Sequence, residues 1–381
     1  MHVGLLSFTD VDYGFDLANA LCEAHISVSL YMSRSHTSNA VNSPDRPAER
    51  SYELGLLPPA VRLHLYQLPR MRDPRSFAGV RRLSQSMRDT GIDVAHIIMG
   101  GGEIWLAVLT YLLRKSHDIP VATTMLDPRP KPGEYPPPFV QSVVNKLFTY
   151  WSDVIIANGR TEVDLVQKLY RVPGSQVCCV QLGPRTTAAR WATRTVPEEP
   201  GTILFLGRIR SNKGLEYLVR AQPIITRHVP HARIVIAGRG EDELERCRQM
   251  IQDGTRFEIH HGWIPGDVVT ELFQRASLVV LPYTSASTSG ILMTAYVFGK
   301  PVVATRVGSL PEYVEDGVTG LLVPPADVEQ LADAIVQLLS DDALRHRMGE
   351  NATRWVDEEQ KKIAEQSLRA YEKAISIHQN A

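Results

Sequence analysis

The chain has few cysteines, no long apolar run and almost no net charge, and each of these absences excludes a class of protein. The four cysteines show no CxxC spacing, and Cys178 and Cys179 lie in an apolar segment where we expect small buried side chains. The longest apolar run, Ile104 to Leu113, is interrupted by Thr110 and is shorter than the roughly 18 residues that a membrane-spanning helix needs. The first residues lack the basic start and cleavage site of a signal peptide, so we expect a cytoplasmic protein.

The formal net charge is -1 although 22% of the residues are charged, which argues against a protein dominated by nucleic-acid binding. One stretch departs from this balance. Arg62 to Arg88 contains seven arginines against a single acid, Asp73, with apolar residues interleaved. The pattern predicts peripheral contact with an anionic membrane surface or with an anionic acceptor, and a solvated helix face is the alternative.

Short apolar segments alternate with amphipathic ones in both halves of the chain. The first series is His2–Ser7, Ile26–Tyr31, Val94–Ile98, Val121–Thr124, Val154–Ala157 and Val177–Val180. The second is Thr202–Leu206, Arg233–Ala237, Phe257–His260, Leu278–Leu281, Val302–Ala304 and Gly320–Val323. This alternation predicts two α/β domains, each a doubly wound parallel sheet, that face each other across a cleft. We assign them to residues 1–184 and 201–357, with a linker over 185–200 and a closing amphipathic helix over 358–381.

Three loops of the second half follow predicted strands, where open parallel sheets bind their ligands. They contain Gly207, Arg208 and Lys213 in the first loop, Gly238 and Arg239 in the second, and Gly262, Trp263 and Ile264 in the third. Arg208 and Lys213 can converge on one anion, the arginine as a fork and the lysine as a point charge. The flat apolar pair Trp263 and Ile264 suits a nucleobase.

A fourth loop leads into the nearly all-apolar segment Ile291 to Phe298, which predicts a buried helix ended by Gly299. Ser289 and Gly290 leave no bulky side chain in front of this helix, so its N–H groups and its dipole favour a phosphate. Together with the two cations, this helix start predicts a diphosphate site. An ordinary buried helix capped by Ser289 is the alternative.

Residues after strands of the first half are candidates for the acceptor side. They are Asp12, Tyr13 and Gly14, then Gly101 and Gly102, then Asp127, Lys131 and Glu134. The alternatives are a helix cap formed by Asp10 and Asp12, a plain glycine turn and a solvated proline-rich loop. We expect His96, within a predicted strand, to be a hydrogen-bonded core histidine rather than a catalyst.

The segments GRIRSNKGLEYLVRA, VIAGRGED, HHGWI and SGILMTAYVFGKPVVATRVGSLPEYVEDGVTGLLVPPAD occur in this order. Over essentially the whole second half, this order resembles the family-four retaining glycosyltransferases of the GT-B fold, whereas the first half resembles them only in outline. The resemblance implies two Rossmann-like domains, a final helix that crosses back to the first domain, and transfer of a sugar from a UDP- or GDP-linked donor with retention of configuration. It implies no metal and no other cofactor.

The resemblance also implies roles for individual residues. Arg208 and Lys213 would hold the donor diphosphate and stabilise the leaving group, which makes them the catalytic pair. The donor diphosphate would further contact Gly207, Ser289, Gly290 and Ile291, and the base and ribose would contact Gly238, Arg239, Gly262, Trp263, Ile264 and Thr294.

Three departures from the family pattern stand against full activity. Ala286 and Thr294 occupy the places of two glutamates that the family spaces by seven residues, Leu126 occupies the place of a histidine, and Asp12–Gly14 replaces a glycine pair. The alternative function is therefore a weak or inactive relative that binds a glycan or supports a partner transferase. A phosphorylase or epimerase of the same fold is a third and less favoured interpretation.

Overall fold

The computed structural model describes residues 1–8, 10–33, 51–66, 75–99, 104–129 and 137–380. The chain forms two compact units, unit 1 with Met1–Gly183 and Gln360–Ala381, and unit 2 with Pro184–Glu359. Each unit is built on one parallel sheet with helices packed against it, so the predicted α/β class with two sheet-based domains is confirmed.

The sheet of unit 1 has seven strands in the order β3-β2-β1-β4-β5-β6-β7. The strands are β1 (His2–Ser7), β2 (Ser27–Ser33), β3 (Arg62–Tyr66), β4 (Val94–Met99), β5 (Val121–Met125), β6 (Val154–Ala157) and β7 (Val177–Cys179). The helices are α1 (Val11–Glu23), α2 (Arg75–Asp89), α3 (Ile104–Tyr111), α4 (Pro138–Trp151) and α5 (Arg160–Tyr170). A π-helical turn, Leu112–Ser116, continues α3.

Alternating strand residues separate the two faces of this sheet. On one face Ala95 and Ile97 of β4 join a core to which α2, α3, α4 and α5 contribute. On the other face the buried His96 ring bonds Tyr371 of the C-terminal segment, with 2.8 Å between Nδ1 and the hydroxyl, and Thr124, with 2.6 Å between Nε2 and Oγ1. Burial lowers the pKa of His96 to about 3, so the expected core histidine is confirmed.

Two edges of this sheet differ from the sequence-based expectation. Arg62–Tyr66 forms the edge strand β3, within a stretch for which a solvated helix face was the alternative to a membrane or acceptor contact, and Arg75–Asp89 forms α2. The residues between them lie outside the described ranges. At the other edge, Cys178 is half-buried and Cys179 is exposed, so the expectation that both are buried is wrong, because an edge strand leaves side chains uncovered.

The sheet of unit 2 has six strands in the order β10-β9-β8-β11-β12-β13. The strands are β8 (Thr202–Leu206), β9 (Arg233–Gly238), β10 (Phe257–His261), β11 (Leu278–Leu281), β12 (Val302–Thr305) and β13 (Gly320–Val323). The helices are α6 (Leu215–His228), α7 (Glu241–Arg248), α8 (Gly266–Arg275), α9 (Gly290–Val297), α10 (Leu310–Tyr313), α11 (Val328–Ser340) and α12 (Asp342–Gln379).

The segment 185–200, which we predicted to be a linker, belongs to unit 2 and packs against it. Its residues Thr186–Trp191 form a 3-10 helix, and the Trp191 ring lies against Gly266, 2.9 Å from the point where a Cβ would stand. Glu198 accepts hydrogen bonds from Lys300 and Arg345 at 2.9 and 3.3 Å. The closing helix is longer than expected, because α12 begins at Asp342 within unit 2 and its residues from Gln360 onward belong to unit 1.

Candidate functional site

The strand order of unit 2 defines a switch point between β8 and β11. These strands are neighbours in the sheet although two other strands separate them in sequence. The loops that leave them therefore diverge at the carboxyl edge, which is where open parallel sheets bind ligands. The four predicted donor-site loops all start at this edge.

Backbone hydrogen bonds join the first two loops. Gly207 N–H donates to the Ala237 carbonyl at 2.9 Å, and Ile209 N–H donates to the Arg239 carbonyl at 2.8 Å. These bonds hold both sides of Arg208, whose side chain is exposed. The exposed guanidinium is thus carried on a backbone fixed at two points.

Gly238 allows these loops to approach each other. Its φ is 145°, and a Cβ at this position would overlap the Gly207 carbonyl oxygen. Its own carbonyl accepts from Gly262 N–H at 2.9 Å, which adds the third loop. Only glycine meets both the backbone angle and the space, because an L side chain rarely adopts this φ.

The first turn of α9 lies opposite the first loop. Ser289 is the N-cap and its hydroxyl accepts from Leu292 N–H at 3.4 Å, so the capping interpretation is correct. A Cβ on Gly207 would lie 3.7 Å from Ile291 Cγ1. Capping does not exclude an anion, since one side-chain acceptor satisfies only one of the open N–H groups of a helix start.

Lys213 extends towards the same helix start. Its Nζ lies 3.7 Å from the centroid of the Tyr283 ring, at the end of β11, and the Tyr283 hydroxyl lies 3.3 Å from Ser289 Oγ. Burial raises the pKa of Tyr283 to about 12, so this ring is neutral and holds the lysine by a cation–π contact. The second predicted cation therefore stands beside the cap of α9.

The predicted base and ribose residues lie around the third loop and on α9. Arg239 is exposed, and Trp263 and Ile264 are half-buried. The indole N–H of Trp263 is buried and has no hydrogen-bond acceptor among the residues that the structure describes. Thr294 is buried, and its hydroxyl donates to the Gly290 carbonyl at 2.9 Å, so it offers no group equivalent to a carboxylate.

Sequence reasoning missed Arg185. This side chain is only 7% exposed, and its Nε and Nη2 lie 3.5 and 3.6 Å from the point where a Cβ on Gly290 would stand. A third cation is therefore placed at the helix start. No sequence signal marked it, because it belongs to a segment without periodicity that we interpreted as a linker.

The acceptor-side residues of α1 are mostly buried. Asp10 caps the helix by accepting from Tyr13 N–H at 3.0 Å, as the alternative interpretation predicted. Tyr13 is buried, and a Cβ on Gly14 would lie 2.6 Å from Ser7 Cβ, so this glycine allows α1 to pack against β1. Asp12 is the partly exposed member of the predicted trio.

The remaining acceptor-side candidates follow β4 and β5. Asp127 is half-buried next to Leu126 in the loop after β5. Gly101, Gly102, Lys131 and Glu134 lie outside the described residues. The assignment of an acceptor side stays a prediction.

Two further observations concern metals and membranes. Within the described ranges, no group of three or more His, Cys, Asp or Glu residues is arranged to hold a metal ion. No helix in the same part of the chain is long and apolar enough to cross a membrane. The independence from metal that the resemblance implied stays a prediction.

Known proteins resemble the chain most clearly in unit 2, where residues 200–341 match the family described as glycosyl transferases group 1. An uncharacterized glycosyltransferase of Methanocaldococcus jannaschii is 34% identical over 189 residues, 48% of this chain and 47% of that protein. A D-inositol 3-phosphate glycosyltransferase of Saccharomonospora viridis is 28% identical over 264 residues, 64% of this chain and 61% of that protein. These matches span between about half and three fifths of each relative's length.

The structural comparison covers nearly the whole chain. The crystal structure of Anabaena HepE in complex with UDP-glucose aligns with a TM-score of 0.69 at 15% identity, over 98% of each chain. At this identity the likeness concerns the fold, and it confirms the expected GT-B class. The chain is thus similar to group 1 glycosyltransferases in sequence over unit 2 and to GT-B proteins in fold over nearly its whole length.

Proposed function

We propose that the chain is a retaining glycosyltransferase that moves a sugar from a UDP- or GDP-linked donor to a glycan, a glycolipid or a small metabolite. The observation that carries this proposal is the joining of the loops after β8, β9 and β10 opposite the first turn of α9. Lys213 and Arg185 both reach this turn, so two cations and a helix N-terminus share one small region. Paired phosphates are the anion that such a cluster fits best.

The cluster has a direct role in sugar transfer. An acceptor hydroxyl attacks the anomeric carbon, the bond from that carbon to the phosphate oxygen breaks, and the leaving diphosphate takes up the hydroxyl proton. Negative charge grows on the leaving oxygen before the proton arrives, so fixed cations lower the barrier to this step. This route needs no nucleophile from the protein, so it tolerates Ala286 and Thr294 in place of carboxylates.

The comparisons support a nucleotide-sugar donor of UDP type. The HepE complexes contain UDP and UDP-glucose in proteins of the same fold. We also propose a cytoplasmic location, because the four cysteines are free and the cytoplasm keeps thiols reduced.

Calorimetry with UDP, GDP and ADP tests the proposal directly. We expect micromolar to millimolar binding of UDP or GDP and, in the double variant Arg208→Ala with Lys213→Ala, loss of binding and of transfer with the fold intact. Arg227→Ala, an exposed arginine at the far end of α6, serves as the matched control and should bind as the unaltered protein does. Full turnover by the double variant would refute the assigned roles.

A second candidate function is supported by Thr294 and Ala286. A ribose hydroxyl that loses a charged partner loses about 1.5–3 kcal/mol, which is roughly ten- to a hundredfold in affinity. If none of the three nucleotides or their sugars binds, a role as a glycan-binding or partner-supporting relative would replace the enzyme.

A further inference from the structure

Three neighbouring helices of unit 1 present an apolar and basic surface that the proposed sugar transfer does not use. Helix α3 with its π-helical turn packs against both α2 and α4 on the same face of the sheet. The exposed residues of α2, of α3 with its turn, and of α4 are called the α2–α4 surface below. All of its residues belong to unit 1, whereas the predicted donor-site loops belong to unit 2.

Large apolar side chains are exposed along α4. Phe139 is 79% exposed and Tyr150 is 74% exposed, and Val143 between them is also exposed. Residues 139, 143 and 150 fall on one side of α4 and form an apolar ridge, in which the exposed Lys146 lies between Val143 and Tyr150. Exposed apolar patches that are bordered by polar residues are typical of interaction sites.

The neighbouring helices extend the ridge. Tyr111 at the end of α3 is exposed, and its ring centroid lies 5.4 Å from that of Trp151 at the end of α4. Phe77 on α2 is half exposed. In unit 2, all of whose residues the structure describes, no large hydrophobic residue is exposed. Among the described residues, seven of the ten exposed large hydrophobic side chains lie on α2, α3 and α4, and the other three lie elsewhere in unit 1.

The same helices are strongly basic in a chain whose net charge is -1. They contain one acid, Asp89, and seven cations, which are Arg75, Arg81, Arg82, Arg88, Arg114, Lys115 and Lys146. Two cations are neutralised locally, because Arg88 pairs with Asp89 at 2.7 Å and Arg114 pairs with the buried Asp153 at 2.8 Å. Arg81 and Arg82 on α2, Lys115 on the π-helical turn and Lys146 on α4 are exposed.

We propose that the α2–α4 surface docks on an anionic lipid bilayer. Aromatic side chains prefer the interface of a bilayer, and exposed lysines and arginines are attracted to its anionic headgroups. A second copy of this chain fits less well, because a symmetric contact would bring the same cations face to face. The stretch Arg62 to Arg88 predicted part of this surface, but the apolar ridge lies on α4, outside that stretch.

Vesicle sedimentation of the full chain tests the proposal. We expect the protein to sediment with vesicles of phosphatidylcholine and phosphatidylglycerol and to remain largely in solution with phosphatidylcholine alone. Rising salt should release part of the bound protein, because salt screens the cations but not the apolar ridge. A Phe139→Trp variant should show a blue-shifted emission on the anionic vesicles, because the ridge enters the headgroup region. Analytical ultracentrifugation without lipid reports self-association.

Two sets of variants separate the electrostatic contribution to vesicle binding from the apolar contribution. Lys115→Glu with Lys146→Glu should weaken vesicle binding at least about tenfold, and Phe139→Ser with Tyr150→Ser should abolish the salt-resistant part. The matched control is Arg220→Glu with Arg227→Glu, two exposed arginines of α6, which should bind vesicles as the unaltered protein does. Nucleotide binding should be the same in all variants, so failure here is distinguishable from failure of the proposed function.

Three results would overturn the proposal. The first is equal, negligible sedimentation with both kinds of vesicle. The second is an equal loss of anionic vesicle binding in the α6 control variant and in the Lys115 and Lys146 variant. That result would mean that the protein is attracted to the vesicles by its overall charge and not through the α2–α4 surface. The third is self-association that the Phe139 and Tyr150 variant removes, which would assign the ridge to a second copy of the chain.

Discussion

Arg185 shows how a single buried charge affects the candidate site. A cation at a helix N-terminus is unfavourable by itself, because the helix dipole already places partial positive charge there. The Arg185 guanidinium lies 3.5 Å from the Cβ position of Gly290, so a phosphate bound at this helix start would lie close to it and would be attracted by it. We therefore assign Arg185 to the proposed diphosphate site as a third cation.

Replacing Arg185 tests this assignment. Arg185→Ala should weaken UDP binding by about tenfold or more, since a charge-assisted hydrogen bond contributes about 1.5–3 kcal/mol. Arg185→Lys should restore part of the affinity, because it returns the charge without the fork. Calorimetry gives the dissociation constants, and Arg190→Ala, an exposed arginine of the 3-10 helix that follows Arg185, is the control. Equal affinities for all four proteins would show that Arg185 has only a structural role.

Gly238 tests the joining of the loops. Gly238→Ala should reduce the free energy of unfolding by about 2 kcal/mol or more, because the new Cβ would overlap the Gly207 carbonyl at a φ of 145°. Gly254→Ala is the matched control, since nothing lies within 4 Å of its Cβ position. Urea unfolding measures both, and similar midpoints for the two variants would contradict the close approach of these loops.

At the scale of the element, Ser289 both caps α9 and lies at the proposed phosphate site. Ser289→Ala should lower the free energy of unfolding by about 1 kcal/mol. Ser289→Asn and Ser289→Asp both keep a capping acceptor, so each should lower it by less. Only the aspartate places a negative charge where the phosphates would lie. We expect it to weaken nucleotide binding at least about tenfold relative to the asparagine. Equal affinities of these two variants would remove the helix start from the site.

The strands at the sheet edges show which elements are hard to recognise. Central strands such as Leu278–Leu281 were found at their observed limits, because residues buried on both faces form a continuous apolar run. The edge strand Arg62–Tyr66 was missed, since only part of it is covered and its polar residues resemble those of a helix face. Cys179 was correctly predicted to lie in a strand, but it is exposed rather than buried because β7 is an edge strand.

At the scale of the whole molecule, stability should depend on pH through unit 1. Burial lowers the pKa of His96 to about 3, and the pKa values of His2 and His64 are also lowered, chiefly by burial. Between pH 6.5 and the folded-state pKa, the unfolded chain binds protons that the folded chain does not. Stability is therefore full above about pH 6.5 and is lost as the pH falls through this window.

The His96→Gln variant measures the contribution of this group. The glutamine can hydrogen-bond to Thr124 and Tyr371 but does not titrate in this range. We expect the slope of unfolding free energy against pH, between about pH 6 and pH 4, to decrease by up to about 1.4 kcal/mol per pH unit. Urea unfolding at a series of pH values gives this slope, and an unchanged slope would mean that His96 takes up its proton while folded.

The sequence by itself determined the two parallel sheets, the central strands to within one residue at their ends and the order of the four predicted donor-site loops. Periodicity and glycine positions depend on local backbone preferences and burial, which neighbouring residues encode. Tertiary structure decided that Arg185 reaches Gly290, that Tyr13 is buried and that exposed aromatic residues gather on α2–α4. These features depend on which elements pack together, and residues far apart in the chain fix them jointly.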